Sequence, residues 1–210
     1  GDELKVCFLQ EKKNYSLEDI DLDILYEDED IIILNKPSGI PVHPSKGHVE
    51  DDLATMVQNY LGLKRIHPVG RLDQEVSGCM LYAKNQPCCA RLQAQRQNGI
   101  YQKEYLALAT GRFIKKKDTV ILPLQKDKDG IRMVVDNNGR KSITTYEVLW
   151  EYEGYSLVRV NISTGRRHQI RSVMKYMGHA LLGDRMYQGD LSKIQRTALH
   201  ACTLHLVHPF

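Results

Sequence analysis

The chain has 210 residues, of which 42% are hydrophobic and 26% are charged, and this balance is ordinary for a globular protein with one core or two small ones. No stretch approaches the roughly 18 apolar residues of a membrane span, and the first residues lack a secretory signal pattern. We therefore expect a cytoplasmic protein. The net charge of +3 says little about partners, but basic clusters at 115–117, 140–141 and 166–171 favour contacts with phosphate. The lysine run at 115–117 is equally typical of a solvated surface.

The cysteine pattern argues against both a disulfide framework and a structural zinc site. The count is odd, and no pair has the short Cys-x-x-Cys spacing. We expect buried thiols instead. His200, His205 and His208 with Cys202 would be an alternative metal site. In a strand, however, His205 would face the opposite side from the others. The cysteines are Cys7, Cys79, Cys88, Cys89 and Cys202.

The order of elements along the chain predicts an α+β protein. Residues 11–30 are polar and acidic and indicate an extended lead-in, followed by a buried strand at 31–34 and a Pro-Ser-Gly turn. Helical spacing or helix-capping residues predict helices at 53–61, 87–98 and 164–177. Apolar or alternating runs predict strands at 79–83, 103–110, 119–122, 131–135, 141–150, 155–162 and 198–207. Because several strands follow one another directly, we expect mainly antiparallel pairing.

The sharpest local feature is Arg71-Leu72-Asp73, which lies in a loop rich in Gly and Pro just before a buried strand. An aspartate in such a loop is often only a turn residue. The alternative is a catalytic carboxylate that a nearby cation holds ionised.

A second feature is the polar run from Ser163 to Arg171, which contains Arg166, Arg167, His168 and Gln169. At a helix start, backbone N–H groups and basic side chains attract phosphate, although an ordinary basic surface helix fits the pattern as well. Tyr105 lies inside a predicted strand, where a tyrosine usually only packs.

Taken together, the ordered motifs resemble the RluA-type pseudouridine synthases, and most closely the RluD-like branch that acts on large-subunit rRNA. The resemblance spans about residues 24 to 209. The matching segments are Asn35-Lys36-Pro37-Ser38-Gly39 with Val42-His43-Pro44, Gly70-Arg71-Leu72-Asp73 with Val76-Ser77-Gly78, Lys103-Glu104-Tyr105-Leu106-Ala107 with Gly111, Thr164-Gly165-Arg166 with His168-Gln169-Ile170-Arg171, Gly178-His179, Leu181-Leu182-Gly183-Asp184 with Tyr187, and Ala198-Leu199-His200-Ala201 with His208-Pro209.

The resemblance implies a mixed, mainly antiparallel sheet in two halves, with flanking helices around a central RNA-binding cleft. It implies isomerisation of uridine to pseudouridine without cofactor or metal. By motif, Asp73 is the catalytic aspartate, Tyr105 the active-site tyrosine that packs on the target base, and Arg171 the basic residue that pairs with the aspartate. Arg71 matches the arginine that helps to hold the base out of the stack. The expected partner is RNA, most closely large-subunit rRNA with tRNA as the alternative, and we expect a monomer.

The chain departs from the family pattern at two positions. Gly70 stands where a histidine is usual, and Val76 where a threonine is usual. Gly70 puts one polar contact near the flipped base in doubt. Residues 1–23 read as a lead-in and the remnant of an N-terminal RNA-binding domain, with 24–210 as the catalytic domain; a naturally short protein with an ordinary leading strand is the alternative.

Two other functions compete with this one. A zinc deaminase acting on RNA would need a Cys-x-x-Cys segment as well as a His-x-Glu segment, and the sequence has no Cys-x-x-Cys. A non-catalytic RNA-binding or ribosome-assembly module would not need Asp73, Tyr105 and Arg171 together.

Overall fold

The structure, a computed structural model, describes the backbone of residues 3–7 and the whole of residues 21–44 and 52–210. These residues contain three α-helices, α1 (Leu53–Leu61), α2 (Gln86–Gln97) and α3 (Gln169–Tyr176), and a 3-10 turn at Arg185–Tyr187. The strands described are β1 (Glu3–Cys7), β2 (Ile24–Glu27), β3 (Ile31–Lys36), β4 (His67–Val69), β5 (Ser77–Ala83), β6 (Gln102–Thr110), β7 (Lys117–Lys126), β8 (Met133–Val135), β9 (Arg140–Glu151), β10 (Tyr155–Ile162) and β11 (Leu199–Val207).

The chain forms two compact units, which confirms the predicted α+β class with the sheet in two halves. The first unit holds the residues up to 102 together with 201–210, and the second holds 103–200. The strand pairs resolved residue by residue are all antiparallel.

In the first unit the strand order is β2-β3-β5-β11, with β4 on β5 and β1 on β11. Every residue of β5 is buried, as a central strand requires. Ile33, Leu81 and Leu204 from three of these strands pack with Leu92 of α2 in one core. Gly78 lies where β5 meets β11. The two strands approach so closely there that a Cβ would come within 2.3 Å of the Ala201 carbonyl oxygen, so a glycine is needed.

The two helices of the first unit begin and end close to the predicted positions because their capping residues are present. The Asp52 carboxylate accepts the Ala54 and Thr55 N–H groups at the start of α1. The Asn85 side chain accepts the Cys88 N–H at the start of α2, and Gly99 follows the helix with a positive φ of 74°. These caps are local, so the sequence alone predicts both helices.

The thiols of Cys79, Cys88, Cys89 and Cys202 are buried, as predicted, whereas the Cys7 side chain lies outside the described residues. Burial is the largest of the causes that raise the pKa of the Cys88 thiol to about 12. A thiol with such a pKa is an inert packing group rather than a nucleophile.

In the second unit the strands form an antiparallel sheet in the order β6-β10-β9-β7-β8. Helix α3 packs on this sheet through Val173, which forms a buried cluster with Leu124 of β7 and Met133 of β8. All residues of α3 from Gln169 to Met174 are buried. The helix is therefore held by packing on most of its circumference.

The predicted start of the third helix is wrong, because α3 begins at Gln169 and not at Thr164. The Gln169 side chain accepts hydrogen bonds from the Thr164 hydroxyl and the Arg166 N–H, and it donates to the Ile143 carbonyl of β9. These bonds hold residues 164–168 as a loop against the sheet, so that they cannot form the first helical turn.

Two further predictions concern the beginning of the chain. Strand β1 pairs with β11, with Glu3 opposite Val207. Its origin in a lost N-terminal domain stays a prediction, and residues 8–20 of the predicted lead-in lie outside the described residues.

Among the described residues, no helix has the length and apolar character needed to cross a bilayer.

Candidate active site

Asp73 lies in the first unit, in the loop that joins β4 to β5. The loop is a tight turn in which the Val76 N–H donates to the Asp73 carbonyl at 3.0 Å. The Asp73 side chain is only 11% exposed, and the Arg71 guanidinium lies 3.8 Å from its Oδ1 atom with 45% of its own side chain exposed. A shielded carboxylate beside a partly exposed arginine suits the roles that the motif predicts for both residues.

The departure at Gly70 has a structural reason in the same loop. Gly70 has a φ of 82°, and a Cβ at this position would lie 3.4 Å from the Tyr101 hydroxyl. That hydroxyl donates to the Val69 carbonyl at 3.0 Å. The loop therefore follows a left-handed path that suits glycine, and Tyr101 occupies the space beside it.

Sequence reasoning missed Lys36, which anchors the loop that carries Asp73. Lys36 is fully buried at the end of β3, and its ammonium donates to the carbonyls of Pro37 at 2.8 Å, Ile40 at 2.6 Å and Gln74 at 2.9 Å. An ammonium has three N–H groups, which matches these three acceptors. A lysine at the end of a mainly apolar strand, just before Pro-Ser-Gly, marks the position in the sequence but does not show that its ammonium is buried.

Additional bonds join the turn after Lys36 to the residues that follow Asp73. The Gly39 N–H donates to the Gln74 carbonyl at 2.8 Å, and the Gln74 side-chain amide donates back to the Gly39 carbonyl at 3.0 Å. The Ser38 hydroxyl donates to the Glu75 carbonyl at 2.8 Å. The two residues that follow Asp73 therefore make four hydrogen bonds to residues 36–39, three through their backbone carbonyls and one through the Gln74 side chain.

Tyr105 and Arg171 lie in the second unit. Tyr105 is a 5% exposed residue of β6, opposite Val160 of β10. Arg171 is 3% exposed on α3, and its guanidinium makes two short bonds to the Asp184 carboxylate, from Nε at 2.7 Å and from Nη2 at 2.8 Å. Sequence reasoning did not predict this partner. The predicted pairing of Arg171 with Asp73 stays a prediction.

The four predicted RNA-binding residues before Arg171 fall into two groups. Arg166 and Arg167 are partly exposed and reach the Lys141 and Gly130 carbonyls with their guanidinium groups, both at 3.2 Å. His168 and Gln169 are buried. Their RNA-binding roles stay predictions, but the two arginines have the accessible charge that a phosphate contact needs.

His168 has an unusual backbone conformation, with a φ of 48° although it is not a glycine. Its Nδ1 atom lies 3.1 Å from the Tyr187 hydroxyl, which accepts the Met133 N–H at 2.8 Å. A residue held in this conformation requires compensation from its surroundings, and the buried hydrogen bond to Tyr187 supplies part of it. His168 thus connects the start of α3 to β8 and to the 3-10 turn.

Within residues 21–44 and 52–210, no group of three or more His, Cys, Asp or Glu side chains is arranged to hold a metal ion. The alternative site at His200, His205, His208 and Cys202 therefore receives no support. His205 contacts the Ile100 carbonyl through Nδ1 at 3.3 Å, and His208 contacts Asp28 through Nε2 at 2.9 Å.

Comparison with known proteins gives one consistent result. The profile of the RNA pseudouridylate synthase family matches residues 30–176. The chain is 36% identical to the uncharacterized RNA pseudouridine synthase YjbO of Bacillus subtilis, with 100% of this chain and 76% of that protein covered. It is 34% identical to ribosomal large subunit pseudouridine synthase D of Escherichia coli K12, with 96% of this chain and 67% of that protein covered.

The solved structures agree with the sequence relatives. Human RNA pseudouridylate synthase domain containing 1 superposes with a TM-score of 0.75 at 24% identity, over 90% of this chain and 79% of that one. Human RNA pseudouridylate synthase domain containing 4 superposes with a TM-score of 0.69 at 25% identity, over 88% of this chain and 87% of that one. The profile match covers more than half of the chain, and the match to the Bacillus subtilis relative covers the whole of this chain. The chain therefore belongs to the RNA pseudouridylate synthase family.

Proposed function

We propose that this protein isomerises specific uridines to pseudouridine in large-subunit rRNA, with Asp73 as the catalytic carboxylate. The observation that carries the proposal is the Asp73 loop. Its carboxylate is largely shielded from solvent, and the two residues that follow it make four hydrogen bonds to residues 36–39. The rRNA substrate rests on the names of relatives such as ribosomal large subunit pseudouridine synthase D.

The reaction is an isomerisation and needs no co-reactant. The bond between the ribose C1′ and the base N1 breaks, the base turns, and a new bond forms between C1′ and C5. The hydrogen on C5 then leaves as a proton, while N1 gains one. Asp73 could attack the ribose carbon, or it could take a proton from the ribose carbon next to the breaking bond. In both routes the carboxylate must be ionised and held in place.

The other site residues have distinct proposed roles. A stacked uridine must be flipped out before it can react, which costs a few kcal/mol. Arg71 would contact the flipped nucleotide, and its half-exposed side chain has the freedom to do so. Tyr105 would offer an aromatic face to the neutral base, Arg171 would pair with the carboxylate, and Arg166 and Arg167 would contact phosphates. The RNA cleft implied by the family resemblance belongs to the same proposal.

Release of tritium from carbon 5 of labelled uridine tests the reaction directly, because forming the new bond expels that hydrogen. Large-subunit rRNA transcripts and bulk tRNA would each be incubated with the wild type and with Asp73→Asn. Glu75→Gln is a matched control, since it removes an exposed carboxylate two residues away in the same loop. RNA affinity would be measured for all three proteins.

We expect release from rRNA by the wild type and Glu75→Gln, no release by Asp73→Asn, and similar RNA affinity throughout. Release from tRNA alone would replace the rRNA substrate with tRNA. Normal turnover by Asp73→Asn would overturn the catalytic assignment. RNA binding without release from either RNA, or from ribosomal particles, would favour the non-catalytic RNA-binding module.

A further inference from the structure

The pair of Arg171 and Asp184 is the most deeply buried ion pair among the described residues. Their side chains are 3% and 0% exposed, and the two bonds run in parallel from Nε and Nη2 to the two carboxylate oxygens. Such a bidentate contact fixes the plane as well as the position of the guanidinium. Two of the five N–H groups of Arg171 point at Asp184, so the guanidinium can also serve an acceptor along a second edge.

The Asp184 carboxylate is itself held in place by the loop that surrounds it. Asp184 begins the 3-10 turn, where its Oδ1 atom accepts the Tyr187 N–H at 3.2 Å, and its carbonyl accepts the Gly189 N–H at 2.8 Å. At Gly183 a Cβ would come within 1.8 Å of the Arg196 carbonyl oxygen, and at Gly189 within 1.8 Å of the Leu181 carbonyl oxygen. The backbone around Asp184 is therefore closely packed, and this packing keeps the Asp184 carboxylate in place.

Tyr187 fixes the guanidinium from another direction. The centre of its ring lies 5.2 Å from Arg171 Cζ, within the range of a cation–π contact. The ring cannot swing away, because its hydroxyl accepts the Met133 N–H and contacts Nδ1 of His168. The carboxylate and the ring therefore restrict the orientation of Arg171 together.

We infer that Asp184 is a positioning residue, which sets the orientation of the Arg171 guanidinium for catalysis. This inference rests on the proposed function, in which Arg171 acts in the reaction. A buried ion pair is often no more stabilising than apolar residues of the same size. What this pair provides is a fixed direction for a planar group, and pre-orientation of this kind lowers the barrier of a chemical step.

The test measures single-turnover tritium release and RNA affinity for Asp184→Asn in the wild-type and Arg171→Met backgrounds. An asparagine keeps one acceptor but turns an amide N–H group toward the guanidinium, so one of the two parallel bonds is lost. We expect the rate to fall about 100-fold, as for a misplaced reacting group, with RNA affinity changed less than threefold. In the Arg171→Met background the same substitution should cause no further loss, because Asp184 acts through Arg171.

Two control variants separate positioning from loss of charge or of stability. Asp190→Asn removes an exposed carboxylate from the same loop, where it binds Ser192. Ser156→Ala removes a buried hydroxyl of β10 that donates to the Gly111 carbonyl, so it weakens the same unit. Both controls should keep the wild-type rate at a temperature where every variant is folded by circular dichroism.

Each outcome has one meaning. A rate of Asp184→Asn within threefold of the wild type would overturn the positioning role alone. Losses that multiply in the double variant would show that Asp184 acts independently of Arg171, and this too would overturn the inference. No tritium release by the wild type would overturn the proposed function and this inference with it.

Discussion

Replacing Lys36 by methionine tests whether its ammonium organises the Asp73 loop. Methionine keeps most of the buried stem but offers no donor to the carbonyls of Pro37, Ile40 and Gln74. The Gln74 carbonyl retains the Gly39 N–H, so two carbonyls lose the donor that Lys36 supplies. A buried polar group without its partner costs about 1–3 kcal/mol.

The expected net effect is smaller than the sum of these losses. Removing a buried ammonium also removes its desolvation cost, which offsets part of the lost bonding. We therefore expect the free energy of unfolding of Lys36→Met to fall by about 2 kcal/mol. A domain of ordinary stability, about 5–15 kcal/mol, remains folded after such a loss. Because Gln74 follows Asp73 directly, we also expect a slower single-turnover rate at unchanged RNA affinity.

Urea denaturation and single-turnover tritium release would measure the two effects. Lys64→Met is the control, because Lys64 is exposed in the same unit and its substitution removes the same charge. Its unfolding free energy should change by less than about 0.5 kcal/mol. If Lys36→Met were as stable and as active as Lys64→Met, the proposed organisation of the loop by three carbonyl bonds would be refuted.

Two further predictions concern Tyr105 and Asp28. Tyr105→Phe should keep base stacking but slow proton removal or product release, and unaltered single- and multiple-turnover rates would show that the hydroxyl is idle. Burial acts to raise the pKa of Asp28, but hydrogen bonds from the Ile31 N–H, the Tyr26 hydroxyl and the Asp30 N–H, with the charge of His208, outweigh it and lower the pKa. Because the pKa of Asp28 is lower in the folded than in the unfolded protein, its ionised carboxylate adds stability above the unfolded pKa of about 3.9. This added stability is lost as the pH falls through the folded pKa. Melting curves should therefore show Asp28→Asn less stable than the wild type at pH 6 but closer to it at pH 3; a gap that is constant with pH would contradict this linkage.

Local signals in the sequence predicted much of the fold. Asp52 and Asn85 cap helices within three residues of themselves, so the helix starts could be found without any knowledge of tertiary contacts. The three-residue strand β4 was missed, because Pro68 is typical of a loop, yet it lies opposite Tyr82 of β5. Pairing with a distant strand decided the conformation there, and pairing of this kind leaves no periodic signal in three residues.

The candidate site divides in the same way between local and distant causes. Asp73, Tyr105 and Arg171 were proposed as site residues because they lie in short motifs of the family resemblance, and their roles stay predictions. Lys36 was missed, because the carbonyl of Gln74 that it binds is 38 residues away in sequence. A lysine at the end of an apolar strand has no sequence feature that tells a buried ammonium from an exposed one.

Lys36 in the first unit and Asp184 in the second are both fully buried charged residues. Each is a buried charged group, and each carries a cost of burial that only specific partners can offset. Lys36 is offset by backbone carbonyls next to Asp73, and Asp184 by the guanidinium of Arg171. A large rotation of either charged group would weaken these contacts, because hydrogen bonds lose strength steeply at poor angles. Within each unit, the contacts that offset a buried charge therefore also restrain a proposed catalytic residue: they fix the backbone next to Asp73 in the first unit and the guanidinium of Arg171 in the second.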